Sequence, residues 1–267
     1  MKKGKLKNLY DYSRVSYFSM LDEKFVPLTK VIKGEVKKLS EKNFILIEQN
    51  LSNILEDSEE IIESFLKQID RLKLIGVNNE TYDDIIVLSR FEPEEIIFLD
   101  IETCGLSATP LFLIGLLFLK DKDFIFHQLF ARDYTEEKDV ISHLYNFIKK
   151  YKLLITFNGK SFDYPYIIER GIANGIDFDY KIEHIDLLHL SRRRWRRYLP
   201  DCKLQTLEKF VCRRFRSGDI PGREIPQAYQ NFVRTGNARD IANILHHNLL
   251  DLLTMVEILI NILNQIY

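Results

Sequence analysis

Three apolar runs lie almost end to end between residues 96 and 130: Ile96 to Glu102, Leu111 to Lys120 and Asp123 to Phe130. Each has the length of a β-strand, and the connections between them are too short for a crossover helix. Neighbouring runs must therefore pair antiparallel, as a meander. The polar stretch Lys120-Asp121-Lys122-Asp123 is the turn between the second and third. After the meander the pattern changes. Thr135 is the expected cap of a helix that carries Glu136 and Glu137 in its first turn and Lys149 and Lys150 near its end, charges that suit the helix dipole at both ends. Leu153 to Phe157 reads as a buried strand, and beyond Asn158-Gly159 a further helix extends to about Asn174.

Three meandering strands followed by helix, strand and helix is the order of the ribonuclease-H-like α/β fold, a mixed sheet flanked by helices. Residues 1–88 read as an N-terminal extension or small α+β region of unassigned role, and 89–267 as the catalytic domain. In the first part Phe44 to Glu48 has the look of a short strand, and Asp57 to Leu72 carries Ile61, Ile62, Phe65, Ile69 and Leu72 at helical spacing. A boundary is expected near residues 76–93, where turn-forming and acidic residues collect. The opening residues are basic but lead into no apolar run, which argues against a secretory signal. No apolar run is long enough to span a bilayer, and Cys104, Cys202 and Cys212 form neither a metal pair nor an even disulfide framework. A soluble, cytoplasmic protein with reduced thiols is the expectation.

The chemistry gathers where the first meander strand ends. Alternate side chains on a strand share a face, so Asp100 and Glu102 project side by side. Two adjacent carboxylates repel unless a cation lies between them, and a hard oxygen-seeking ion such as magnesium or manganese is suited to that place. A second acid, Asp163, stands at a strand-to-helix junction two residues ahead of Pro165, with Asn158 in the preceding turn. A third site lies in Leu245 to Leu253, where Asp251 interrupts an apolar helix. His247 is four residues before Asp251 and His246 five, so a regular helix turns His247 toward the same side as Asp251. A late helix start would leave both histidines in a loop and His246 within reach.

The order D-x-E, N-x3-F-D and H-x3-D resembles the three motifs of the DEDD exonuclease superfamily. The segments Phe98 to Glu102, Thr156 to Asp163, Asp186 to Glu208 and Asp219 to Pro226, with Tyr229 and His247-Asn248 ahead of Asp251, resemble more narrowly the YprB-type bacterial ribonuclease-H-like proteins, from about residue 94 to the end. The resemblance implies two divalent ions held by Asp100, Glu102, Asp163 and Asp251, His247 or His246 as catalytic histidine, and Thr103, Asn158 and Lys160 against the substrate. It also implies 3'-to-5' exonucleolytic hydrolysis of phosphodiester bonds at single-stranded DNA or RNA ends. The stretch after Glu102 departs from the family, reading Thr-Cys-Gly-Leu-Ser-Ala-Thr-Pro where a second threonine and a glycine pair are usual. A nucleic-acid-binding module without turnover and a structure-selective endonuclease are the alternatives.

The net charge of -1 hides one strongly basic segment. Arg192, Arg193, Arg196 and Arg197 are expected to form a helical stripe anchored by Leu188, Trp195 and Tyr198 on the other side, with Trp195 in the core. Lys203, Lys209, Arg213, Arg214, Arg216 and Arg223 extend the positive charge. Guanidinium groups match phosphate oxygens and would position a strand without reading its bases. A solvated face paired with acidic residues of the N-terminal part is the competing reading of the same segment.

Overall fold

The computed structural model describes residues 25–32, 35–39, 42–75, 83–216 and 218–265. The basic opening and part of the expected boundary lie outside them. One seven-stranded mixed sheet organises the chain, from β1 (Glu35–Leu39), β2 (Lys42–Asn50), β3 (Ile96–Thr103), β4 (Leu111–Lys120), β5 (Asp123–Phe130), β6 (Leu153–Thr156) and β7 (Glu183–Asp186) in the order β1-β2-β5-β4-β3-β6-β7. β3, β4 and β5 form the antiparallel meander, and β6 and β7 add parallel strands beyond β3. β2 pairs antiparallel with β5, so residues 42–50 continue the same sheet.

Helices cover both faces: α1 (Ser58–Ile75), α2 (Glu137–Ile148), α3 (Asp163–Ala173), α4 (Leu187–Trp195), α5 (Ile225–Thr235) and α6 (Ile241–Asn264). The period-two alternation of β3 divides the core. Ile97, Leu99 and Ile101 pack with residues of α2, α3 and α5, while Ile96 and Phe98 pack with α1, α4 and the second half of α6. Asp100 and Glu102 therefore continue the second face, the one toward which α6 brings Asp251.

Helix α2 starts differently from the sequence expectation. Asp133, not Thr135, supplies the cap: its carboxylate accepts from the Thr135 amide at 2.8 Å and opens a single 3-10 turn, Tyr134–Glu136, ahead of the helix. Asx side chains bond backbone amides two residues on, and that local bond outcompetes the threonine. Helix α4 also ends earlier than a four-arginine stripe requires. It stops at Trp195, and Arg196 and Arg197 lie in the turn before Pro200. Trp195 is a core residue, as its position among leucines suggested.

Candidate active site

Across the middle of the meander, Asp100 of β3 pairs with Gly115 of β4, which in turn pairs with Gln128 of β5. Gly115 leaves a gap in this row. Asn248 of α6, fully buried, enters it: its amide donates to Asp100 Oδ2 at 2.9 Å, and its oxygen accepts from Gln128 Nε2, also at 2.9 Å. A Cβ on residue 115 would stand 2.2 Å from Asn248 Oδ1. The missing side chain thus lets the helix approach the sheet and fixes one oxygen of Asp100.

Asp163 begins α3 and is 5% exposed. Its Oδ1 accepts from the Ile101 amide at 3.2 Å, a backbone donor that β6 is too short to satisfy. This bond places Asp163 between Asp100 and Glu102 along β3. The turn that delivers it is held by Asp186, which accepts from the amides of Asn158 (2.8 Å), Lys160 (3.1 Å) and Leu188 (3.0 Å). Asn158 is left-handed, with φ 65°, and a Cβ on Gly159 would stand 2.3 Å from Thr156 Oγ1, so the turn closes only on glycine.

Helix α6 starts at Ile241, ahead of both histidines, so His247 and Asp251 share a side one turn apart. His247 Nε2 lies 3.5 Å from Asp251 Oδ2, and its Nδ1 is 2.9 Å from Asp219 Oδ1. A carboxylate can only accept, so Nδ1 carries the proton and Nε2 faces the acidic cluster. Burial lowers the His247 pKa, but the Asp219 hydrogen bond and the charges of Asp251 and Glu102 outweigh it and leave it raised. His246 is half-buried, and burial lowers its pKa.

The four acids converge electrostatically. Burial, and then the charges of Asp251, Glu102 and Asp163, raise the Asp100 pKa well above the carboxylate range. Burial first, and then Asp251, Asp163 and Asp219 against the opposing His247, push Glu102 up to about 8. Asp163 rises to about 7, again chiefly through burial. Among the described residues no three histidine, cysteine or acidic side chains already surround one point as ligands. Asp251 is turned instead onto Arg216, whose guanidinium also reaches Glu208 and, at 3.0 Å, Asp219.

Arg216 overturns part of the basic-track expectation. Neither it nor Arg214 faces solvent as a phosphate contact: Arg214, 7% exposed, is bound to Glu257 at 3.0 Å. The other expected substrate residues are dispersed around the site. Thr103 turns its hydroxyl to the Gly105 carbonyl at 2.6 Å, while Lys160 and Arg193 both approach Asp84, each at 3.9 Å. Arg192, Arg196 and Arg197 are exposed, and Arg194 anchors the end of α6 through Gln265. Asp84 beside Arg193, and Asp57 at 3.6 Å from Arg214, are acids of the N-terminal part that this segment meets, as the solvated-face reading expects.

Sequence reasoning assigned no role to Asp186, Asp219 or Asn248. Only Asp186 carried a local signal, an acid directly before a helix. Gly115, alone in an apolar strand, was the trace of the close approach made by Asn248.

Residues 97–263 match the family model described as RNase_H superfamily. The chain belongs to that superfamily. It is 27% identical over 194 residues to the uncharacterized protein YprB of Bacillus subtilis (strain 168), a match covering 66% of this chain and 44% of that relative. The chain thus corresponds to less than half of YprB. A family B DNA polymerase from the hyperthermophilic archaeon Pyrobaculum calidifontis shares the fold with a TM-score of 0.51 at 15% identity, over 62% of this chain and 24% of the polymerase. The superfamily fold is consistent with nuclease activity, and nucleases of this kind usually use divalent metals. Among the described residues no helix is long and apolar enough to cross a membrane.

Proposed function

We propose that the protein is a metal-dependent 3'-to-5' exonuclease acting on single-stranded nucleic-acid ends. The observation that carries the reading is the meeting of Asp100, Glu102, Asp163 and Asp251 from one strand and two helices, with three of them pushed toward protonation by burial and mutual repulsion. Such a set of oxygen donors fits magnesium or manganese, whose charge would remove the repulsion. Bound there, the ions would generate hydroxide and stabilise the leaving oxygen. The chain's own part is positional. Asn248 and the Ile101 amide hold Asp100 and Asp163, Asp186 holds the turn carrying Asn158 and Lys160, and Asp219 aims His247 Nε2 at the cluster to take up or orient a proton. Asp251 would join the ligand set by exchanging its Arg216 partner.

That Arg216 contact favours one second reading, a nucleic-acid-binding module in which the acidic set is held closed and nothing is hydrolysed. End-labelled single-stranded DNA and RNA, incubated with magnesium or manganese and with or without chelator, separate the two. Shortening that depends on the ion and is abolished by Asp100→Ala, with the fold intact by circular dichroism, is the expected result. Intact strands in every arm would leave the binding module. Cutting of a circular strand would replace the exonuclease by an endonuclease.

A further inference from the structure

Single exposed hydrophobic side chains are ordinary on protein surfaces, but several here fall close together in sequence. Of the exposed large aromatic side chains among the described residues, Phe25, Tyr134, Tyr198, Phe210 and Phe215, the last three fall in one basic segment. Tyr198 is 80% exposed, Phe210 51% and Phe215 73%. Arg196, Arg197 and Arg213 are exposed beside them in sequence and pair with no carboxylate among the described residues.

The backbone holds Phe215 in place on both sides. Residues 213–216 alternate outward and inward: Arg214 points in to Glu257, and Arg216 points in to Asp219 and Asp251. Phe215 is left facing water between two buried arginines. The Arg214 amide also donates to the Glu208 carbonyl at 3.1 Å, pinning this segment onto the π-helical turn Glu208–Cys212 that carries Phe210. At the other end, Tyr198 sits in a turn whose amide bonds the carbonyl of buried Trp195 at 2.9 Å. The residue that follows Phe215 in the chain, Arg216, is the one that enters the acidic cluster.

We propose that Tyr198, Phe210 and Phe215 form a base-stacking platform for a single-stranded polynucleotide, with Arg196, Arg197 and Arg213 contacting its phosphates. Exposed rings in the same segment as unpaired guanidinium groups, with Lys209 Nζ 5.3 Å from the Phe210 ring centre, are what a strand with splayed bases and a charged backbone needs. An apolar protein partner would bury those arginines without counter-charge. The proposal deepens the nuclease reading by naming where the strand lies, but it does not require turnover.

The test measures fluorescence anisotropy of labelled oligo-dT and oligo-U in chelator, against the full chain and the variants Phe215→Ala, Phe215→Leu and Phe215→Trp. Loss of a stacked base should weaken binding about tenfold or more in the alanine and leucine variants, and tryptophan should restore it. Phe210→Ala and Tyr198→Ala repeat the measurement at independent positions. The salt slope should stay constant in the ring variants and fall by about 0.7 for each arginine changed to glutamine. An abasic strand should bind parent and ring variants alike. The dT and U arms distinguish DNA from RNA as the source of the bases. Ring variants that bind as the parent does, or a parent that binds neither strand, would overturn the platform. Because chelator silences hydrolysis, ring-dependent binding without turnover keeps the platform and removes the nuclease, and turnover with ring-independent binding does the reverse.

Discussion

Gly115→Ala makes two physical effects compete with opposite signs. Glycine in the middle of a strand is less stable than alanine by about 0.5–1 kcal/mol, and Gly115 has no left-handed φ to forfeit, so backbone preference alone favours the variant. Packing opposes it. The new Cβ would stand 2.2 Å from Asn248 Oδ1 and 2.6 Å from Nδ2, and these are a buried amide already bonded on both sides rather than the end of a free side chain. Overpacking costs about 1–3 kcal/mol, and displacing Asn248 strips a partner from both Gln128 and Asp100 at about 1–3 kcal/mol more. Net destabilisation of roughly 2–4 kcal/mol follows, equivalent to roughly 5–15 °C in Tm for a chain of this size. Urea and thermal unfolding in chelator measure it. In an Asn248→Ala background the clash is gone, so Gly115→Ala should become neutral or slightly stabilising, a coupling of about 2 kcal/mol or more. A single variant as stable as the parent, or equal effects in both backgrounds, would refute the account of why α6 sits so close to the sheet.

Three further outcomes are expected. Glu102, at about 8, and Asp163, at about 7, are raised in the folded chain, so their contribution to stability is present below the ordinary carboxylate range and is lost as pH rises through 7 to 8. The Tm in chelator should therefore fall between pH 5 and 8.5 and recover with manganese, and a flat profile would contradict the crowding of these acids. Asp186→Ala should cost about 2–4 kcal/mol in chemical denaturation, since three backbone amides lose their shared acceptor, whereas Asp186→Asn should retain part of that loss. His247→Ala should lower turnover about a hundredfold or more with little change in strand affinity, and His246→Ala should act mainly on stability; the opposite pattern would put the working imidazole on the other face of α6.

The sheet was legible because its information is local. β4 and β5 begin and end where the apolar runs do, and β3 is longer by one residue. The same period-two alternation that makes β3 a strand also put Asp100 and Glu102 on one face, and the helical period put His247 beside Asp251. Reading failed where a short polar bond or a long-range charge decided the outcome. Thr135 and Asp133 are equally good capping types two residues apart, and only geometry chooses between them.

The arginines fail for a deeper reason, and it bears on what the site is. A run of positive charge looks like one surface, yet in residues 213–216 alternate side chains part company. Arg214 meets Glu257 across 43 positions and Arg216 meets Asp251 across 35, while Arg213 and Phe215 stay in water. Composition cannot separate the two sets, because the partners that bury one of them come from α6. Burying a guanidinium is unfavourable unless its charge and donors are matched, and Glu208, Asp219 and Asp251 together match Arg216. Two of them, Asp251 on α6 and Asp219 bonded to His247, tie the segment carrying Phe215 to that helix. If Asp251 turned to a metal, Arg216 would lose that partner and keep Glu208 and Asp219, so the segment would remain matched by two of its three acids.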